Sequence, residues 1–105
     1  MKLPYRHPMT VAAHRGDSYC CYENTMEAFE AAIAVGSDMF ETDVRMTKDG
    51  YLILIHDDTG KRVAADERKI ADLTLEEVRM FNVGSEFHPL SIPMLEDLLD
   101  LAARH

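Results

Sequence analysis

The sequence predicts an α/β fold, because strand and helix signals alternate along its first half. The short apolar run 10–13 ends at polar residues, which is typical of a buried strand that reaches the edge of a sheet. Between Asn24 and Gly36, apolar residues recur at helical spacing. Two further strand candidates, 39–46 and 51–56, follow this helix. A strand, a helix and two more strands in this order indicate an α/β protein.

Length and composition place the chain among small globular proteins. Its 105 residues suffice for one small domain, and 47% apolar with 29% charged residues is an ordinary balance. Eleven Lys and Arg residues against nineteen Asp and Glu residues give a formal charge of −8. This balance argues against nucleic acid as a partner, since backbone binding needs cations on the protein. A protein this acidic that handles an anionic substrate would need a bound cation.

Nothing in the sequence indicates a membrane span or a secretory leader. No apolar run approaches the roughly 18 residues that a transmembrane helix needs. The first eight residues carry positive charges without an apolar stretch behind them. Cys20 and Cys21 are adjacent, and a bridge between neighbours is strained, so we expect two reduced thiols. We therefore expect a cytoplasmic protein.

Helix signals recur at three places. Asn24 and Glu27 form a capping-box pattern that opens the first helix, and Gly36 lies where a helix-ending glycine belongs. A second capping-box pattern at Thr74 predicts a short helix that ends near residues 82–84. Pro93 is expected in the first turn of a final helix. The predicted apolar stripe of that helix consists of Leu95, Leu98, Leu99 and Ala102. Residues 57–73, which precede the helix predicted at Thr74, are polar and show no clear period.

The two strand candidates are expected to form an antiparallel hairpin. Only residues 47–50 separate them, and a parallel crossover needs a dozen or more. Asp49-Gly50 is a strong hairpin signal. A two-residue turn would place Asp43 opposite His56, and a four-residue loop would place Glu41 there. A three-residue loop would instead put His56 on the other face.

Polar residues at the strand ends carry the candidate chemistry. Glu41 and Asp43 are two apart on a predicted strand, so their side chains share a face. Two neighbouring carboxylates fit a hard divalent cation, Mg²⁺ or Ca²⁺, although a solvated polar face is the alternative. Histidines such as His14 and His56 suit proton transfer near neutral pH. Arg15 offers a bidentate fork for phosphate oxygens. Together these residue types indicate phosphoryl chemistry.

The motifs, taken in order, resemble those of the glycerophosphodiester phosphodiesterases. They are His14-Arg15-Gly16, Glu23-Asn24-Thr25 with Ala28-Phe29, Glu41-Thr42-Asp43-Val44, Thr47-Lys48-Asp49-Gly50, His56-Asp57 and the segment 92–99. The resemblance runs from about Val11 to Leu99. It is specific because the order and spacing of all the motifs agree.

The resemblance implies a (β/α)₈ TIM-type barrel that hydrolyses a small-molecule glycerophosphodiester to glycerol phosphate and an alcohol. Carried over by position, it implies His14 and His56 as the acid–base pair and Arg15 as the phosphate ligand. Glu41 and Asp43 become ligands of Mg²⁺ or Ca²⁺. We expect these five side chains to converge on one pocket at the carboxyl ends of the strands.

Two further expectations concern the neighbourhood of this site. Asp57 is expected to orient an active-site group rather than to react. Tyr22 stands where the family usually has proline, which we expect to alter only the loop.

A complete barrel needs about 250 residues, so 105 residues can form only an N-terminal portion of one. The resemblance places a third acidic metal ligand and a lysine on a strand that would follow Leu101. We therefore expect residues 1–105 to be a partial domain, with 57–92 as an insertion or loop that carries a short helix. Either a C-terminal part is missing or the chain self-associates, and alone it should bind metal weakly and turn over little.

Two alternative functions remain open at this point. The chain could be a truncated, non-catalytic module that binds or assembles. It could also be a lysophospholipase D-like phosphodiesterase on the same scaffold, since a fold does not fix a substrate.

Overall fold

The computed structural model describes residues 12–16, 21–37 and 39–104, and its first half is a strand–helix–strand unit. Strand β1 spans Ala12–His14, helix α1 spans Met26–Ala34 and strand β2 spans Met39–Glu41. The two strands are parallel, with His14 opposite Glu41. The predicted α/β character is therefore confirmed. Residues 10 and 11 of the predicted first strand lie outside the described residues.

Helix α1 confirms the predicted helix but begins one residue later than its signal suggested. The N-cap is Thr25, whose hydroxyl accepts a hydrogen bond from Ala28 N at 3.2 Å. Asn24 instead has φ of 52° and directs its amide to other partners. At the other end, Gly36 adopts φ of 82°, and its N–H donates to the Ile33 carbonyl at 3.0 Å. This left-handed glycine ends the helix as predicted.

The predicted hairpin is present, but it is shorter than expected. Strand β3, Val44–Met46, pairs antiparallel with strand β4, Leu52–Leu54. The predicted strand 39–46 is therefore two strands, because its first half pairs with β1 and its second half with β4. Glu41, Asp43 and His56 flank the hairpin rather than lie within it.

The hairpin register differs from both registers that the sequence left open. Met46 lies opposite Leu52, and Thr47 N donates to Tyr51 O at 2.9 Å, so residues 48–50 form a three-residue loop. The buried Thr47 hydroxyl closes this loop by donating to Asp49 at 2.6 Å and accepting from Tyr51 N at 3.0 Å. Gly50 supplies the positive φ, 87°, that the loop requires. The two-residue and four-residue alternatives are therefore wrong.

The aperiodic segment 57–73 contains short elements instead of one long one. They are strand β5 (Thr59–Gly60), helix α2 (Lys61–Ala64), strand β6 (Asp66–Lys69) and a 3₁₀ turn (Ile70–Asp72). Strands β5 and β6 pair antiparallel. Elements of two to four residues are too short to produce a readable period in the sequence.

Two helices complete the chain, α3 at Leu75–Arg79 and α4 at Leu95–Ala103. The capping box of Thr74 and Glu77 is confirmed, although α3 ends at Arg79, with Met80 as its C-cap, and not near 82–84. Pro93 precedes the N-cap of α4 and is therefore not in its first turn. Of the predicted stripe, Leu98 is buried, whereas Leu99 and Ala102 are exposed; Leu101, which the stripe left out, is also buried.

Strand β4 lies between the two buried clusters of the molecule. Ile53 belongs to a cluster formed with the 3₁₀ turn, α3 and the segment before α4. Leu54 belongs to a second cluster, formed with Phe29, Leu98 and Leu101. Because neighbouring residues of a strand point to opposite faces, this one strand ties α1 and α4 to the rest of the chain. In the described ranges, no helix is both long and apolar enough to cross a membrane.

Candidate active site

The turn after β1 places Arg15 beside the end of β2. Arg15 and Gly16 both have positive φ, 54° and 78°, so the chain reverses sharply here. Arg15 N donates to the Glu41 carbonyl, which extends the parallel pairing by one residue. A Cβ on Gly16 would lie 2.8 Å from Ala28 Cβ, so only glycine lets the turn approach α1 so closely. The Arg15 guanidinium is thereby held where the two parallel strands end.

Asp43 contacts one cation, Arg15, and one amide donor, Asn24, at this strand end. Its Oδ2 lies 3.3 Å from Arg15 Nε, an ion pair in which the N–H is not aligned for a hydrogen bond. Asn24 Nδ2 donates to the same oxygen at 3.3 Å. The Asn24 carbonyl oxygen in turn accepts from the Thr42 hydroxyl at 2.8 Å. Asn24 is only 3% exposed, so this amide fixes the short link between β2 and β3.

Glu23 lies between two arginines. Arg15 Nη1 donates to Glu23 Oε2 at 3.3 Å, and Arg62 Nη2 donates to the same oxygen at 3.1 Å. Arg62 Nη1 also donates to Glu23 Oε1. The hydrogen bonds from Arg62, and the charges of both arginines, lower the pKa of Glu23 against the opposing effect of burial. Glu23 is thus an ionised bridge between β1 and helix α2.

Asp57 connects the same arginine to His56. Arg62 Nε donates to Asp57 Oδ2 at 2.7 Å, and Asp57 Oδ1 lies 2.7 Å from His56 Nδ1. The hydrogen bonds from Arg62 and then from His56 lower the pKa of Asp57 to about 2. The hydrogen bond to Glu23, followed by that to Asp57, raises the pKa of Arg62. An ionised carboxylate can only accept, so Nδ1 of His56 carries the proton and Nε2 is left as the other functional atom.

These contacts form one chain of alternating charges across the strand ends. It runs through the side chains of Asp43, Arg15, Glu23, Arg62, Asp57 and His56. Arg15, Asp43 and His56, three of the five residues that the sequence singled out, therefore belong to one connected network. Asp57 contacts His56 in this network, and its orienting role stays a prediction.

Strand parity does not position His56, contrary to the sequence argument. If the hairpin continued in the observed register, Thr42 would lie opposite His56. However, β4 ends at Leu54, and the Arg45 guanidinium donates to the His56 carbonyl at 2.9 and 3.0 Å where the chain turns away. Glu23 and His56 nevertheless line the same small void, of about 10 Å³. The ion-pair network, rather than alternation along a strand, defines where the imidazole lies.

His14 and Glu41 are placed by their backbones. The two residues are register partners at the ends of β1 and β2. The side chain of His14 lies outside what the structure describes, so its convergence on the site stays a prediction. The Glu41 side chain is half-buried. Glu41 ends β2, and Asp43 lies two residues later in the link to β3. Both are carboxylates, whose oxygens are the ligands that a hard cation prefers. Among residues 15–16, 21–37 and 39–104, however, no three potential metal ligands form a cluster.

An open cavity borders the imidazole. It measures about 590 Å³ and is lined by Arg45, His56, Asp57, Asp58, Thr59, Lys61 and Arg62. Three of these side chains are cationic, in a chain whose formal charge is −8. The lining also includes the carboxylates Asp57 and Asp58, so the cavity is an open approach to His56 of mixed charge.

The sequence did not point to Arg62, and it named Glu23 and Asn24 within a motif without a role in the site. Asn24 was interpreted as a helix cap, and Arg62 lies in the segment without a period. One signal was available: the motifs contain several carboxylates but a single arginine, Arg15, so a second cation was to be expected near them. The spacing alone could not say which of the chain's basic residues supplies it.

Strand–helix–strand geometry, with arginine, carboxylate and histidine side chains near the strand ends, defines an α/β scaffold that carries a charged site at the ends of its strands. Residues 14–105 match the profile of the glycerophosphoryl diester phosphodiesterase family. The chain belongs to this family.

Relatives of known name agree with that membership. The chain is 47% identical over 77 residues to a glycerophosphodiester phosphodiesterase of Caldanaerobacter subterraneus, which covers 73% of this chain and 32% of that protein. It is 38% identical over 98 residues to one of Bacillus altitudinis, covering 90% of this chain and 40% of that protein.

A solved structure agrees in fold. The Oleispira antarctica phosphodiesterase in complex with the product sn-glycerol-3-phosphate superimposes with a TM-score of 0.85 at 29% identity. The match covers 91% of this chain and 40% of that one. The fold is accordingly part of a (β/α)₈ barrel, and the chain spans less than half the length of the relatives it matches.

Proposed function

We propose that the protein hydrolyses glycerophosphodiesters to glycerol phosphate and an alcohol. The observation that carries this proposal is the charge network that joins Arg15 to His56. A guanidinium can bind phosphate oxygens, and an imidazole can transfer protons. The Oleispira antarctica relative holds sn-glycerol-3-phosphate, which is the product that this reaction would release. Family membership supports the same class of reaction.

In the proposed reaction, His14 and His56 transfer the protons. One imidazole removes the proton of the attacking hydroxyl, whose oxygen bonds to phosphorus. The bond from phosphorus to the alcohol oxygen breaks, and the other imidazole protonates that oxygen. If the attacking hydroxyl is water, glycerol phosphate forms directly. If it is the substrate's own glycerol hydroxyl, this step forms a cyclic phosphate, and water then attacks phosphorus and breaks one ring P–O bond to give glycerol phosphate. Asp57 keeps the proton on Nδ1 of His56, so Nε2 is the atom that exchanges protons.

Arg15 is proposed to bind the phosphate. Its guanidinium is anchored at Nε by Asp43 and at Nη1 by Glu23. A guanidinium held at two of its three nitrogens keeps one orientation. The phosphate would therefore meet a preorganised charge. Preorganisation matters here because charge accumulates on the phosphoryl oxygens as phosphorus becomes five-coordinate.

Glu41 and Asp43 are proposed to hold a divalent cation, Mg²⁺ or Ca²⁺. Their oxygen donors fit a hard ion, and enzymes of this family generally depend on one. When bound, the cation would offset the negative charge of the phosphoryl group and of the two carboxylates. Asp43 already contacts Arg15, so the ligand and the phosphate-binding arginine would lie side by side.

A substrate panel tests the proposal. Because residues 1–105 alone are expected to turn over little, the assay uses the full-length protein. It is incubated with glycerophosphocholine, glycerophosphoethanolamine or a lysophospholipid, each with Mg²⁺, Ca²⁺ or a chelator, and released glycerol phosphate is measured. We expect cation-dependent release from the glycerophosphodiesters. Turnover of the lysophospholipid alone would point to a lysophospholipase D-like enzyme. Absence of turnover with every substrate and cation would leave a non-catalytic module and contradict the proposal.

A further inference from the structure

Arg62 occupies the middle of the charge network. From the first turn of α2, its guanidinium donates to both carboxylate oxygens of Glu23 and, through Nε, to Asp57. All three nitrogens of the fork are therefore used. Each carboxylate then contacts a different proposed reactive group: Glu23 contacts Arg15, and Asp57 contacts His56.

Removing the guanidinium would change both halves of the site. Glu23 and Asp57 would lose the cation that they share and would repel each other. Asp57 would then be free to leave His56 Nδ1, and the imidazole would lose the partner that fixes which nitrogen carries the proton. Glu23 would keep only Arg15, so the fork of Arg15 would lose a fixed anchor.

We propose that Arg62 is a positioning residue, which holds His56 through Asp57 and Arg15 through Glu23 in a single arrangement. Its position in the fold explains how one side chain reaches both. The short helix α2 lies between strands β5 and β6, and from it Arg62 reaches Glu23, 39 positions earlier in the chain. The kinetic part of this inference rests on the proposed function, whereas the placement of the imidazole proton does not.

The competing interpretation is an ordinary surface ion pair. Arg62 has a half-exposed side chain (47%), and isolated exposed pairs contribute little. Arg68 provides the comparison: it is exposed to a similar degree (54%) and also binds its partner, Asp66, through two nitrogens. The side chains that Arg68 contacts, Asp66, Glu77 and the ring of Phe81, are outside the charge network. If Arg62 is only a surface pair, the two arginines should behave alike when replaced.

The first test reads the proton of His56 directly. The protein is labelled with ¹⁵N-histidine, and the ring nitrogens of neutral His56 are measured by NMR in wild type, Arg62→Gln and Arg68→Gln. We expect wild type and R68Q to keep the proton on Nδ1, and R62Q to shift it toward Nε2. An unchanged Nδ1 tautomer in a folded R62Q protein would overturn the proposal, and so would an equal shift in R68Q.

A second variant covers the case in which R62Q does not fold. Arg62→Lys keeps the charge, but a single ammonium cannot donate to Glu23 and Asp57 in the geometry of the fork. We expect R62K to show a mixture of the two His56 tautomers. A wild-type tautomer in R62K would overturn the proposal, because charge alone would then suffice.

Kinetics separate this inference from the proposed function. If the wild type hydrolyses a glycerophosphodiester, R62Q should lower kcat on the order of 10–100-fold and raise KM, while R68Q should change neither. Wild-type kinetics in R62Q would overturn the positioning role. If the wild type hydrolyses none of the diesters, the proposed function fails, and the NMR comparison still decides whether Arg62 positions His56.

Discussion

The buried amide of Asn24 donates to Asp43 at 3.3 Å and, through its other end, accepts from Thr42. This contact fixes the link between β2 and β3, where a proposed metal ligand meets the proposed phosphate-binding arginine. The relation reaches across 19 residues, from the start of α1 to the end of the parallel pair. A residue that resembles a helix cap in the sequence is therefore part of the site's support.

Replacing Asn24 tests this support. Asn24→Ala leaves buried polar groups without their partner, so we expect a loss of about 1–3 kcal/mol in the free energy of unfolding. Asn24→Asp keeps the shape but sets a second carboxylate beside Asp43, and at neutral pH it should cost more than N24A. Urea unfolding measures both variants. Equal stability of wild type and N24D would contradict the importance of this contact.

Gly16 and Gly50 provide a matched pair for the backbone argument. Both have positive φ, 78° and 87°, but a Cβ on Gly16 would meet Ala28 at 2.8 Å, whereas one on Gly50 would meet nothing within 4 Å. Gly50→Ala should therefore cost only the roughly 1–2 kcal/mol of a left-handed alanine. Gly16→Ala should cost a further 1–3 kcal/mol or so, because α1 must move. Similar unfolding free energies for the two variants would contradict the close approach of the turn to the helix.

The pKa of Asp57 predicts a loss of stability in acid. Arg62 and His56 lower it from 3.8 to about 2, so the ionised form binds better in the folded state. The resulting stabilisation is fully present above the unfolded value of 3.8 and disappears as the pH falls through about 2. We expect the stability difference between wild type and Asp57→Asn to shrink over this interval. A difference that is independent of pH from about 6 to 2 would contradict the ion pair.

Local signals predicted the elements better than their connections. Thr74 with Glu77, and Gly36, mark real helix ends, because capping uses residues close together in sequence. The hairpin register failed because it depends on how the Thr47 hydroxyl closes the loop around Asp49. The prediction of one continuous strand over 39–46 was wrong for a similar reason, because its first half, β2, pairs with β1.

The types of residue in the candidate site could be predicted from the sequence, but the contacts between their side chains could not. Arg15 and Asp43 are in contact, and both were named from strand ends and motifs. Arg62 was not named, and Asn24 was named only as a helix cap and within a motif, because the partners of both are far away in sequence and only the fold brings them together. The roles of His14, Arg15, Glu41, Asp43 and His56, the cytoplasmic location and self-association stay predictions. Cys20 lies outside the described residues.

The central claim, that this is a phosphodiesterase with an imidazole pair, depends most directly on His56. The decisive measurement, made on the full-length protein, is the rate of glycerol phosphate release from glycerophosphocholine with Mg²⁺ or Ca²⁺. It compares wild type with His14→Ala, His56→Ala and His88→Ala. His88 is the control, since it is exposed and pairs with Glu27 at 2.6 Å, outside the charge network. We expect H14A and H56A each to lower turnover on the order of 10²–10⁴-fold while remaining folded, and H88A to match wild type. Near-normal turnover by H56A would contradict the account.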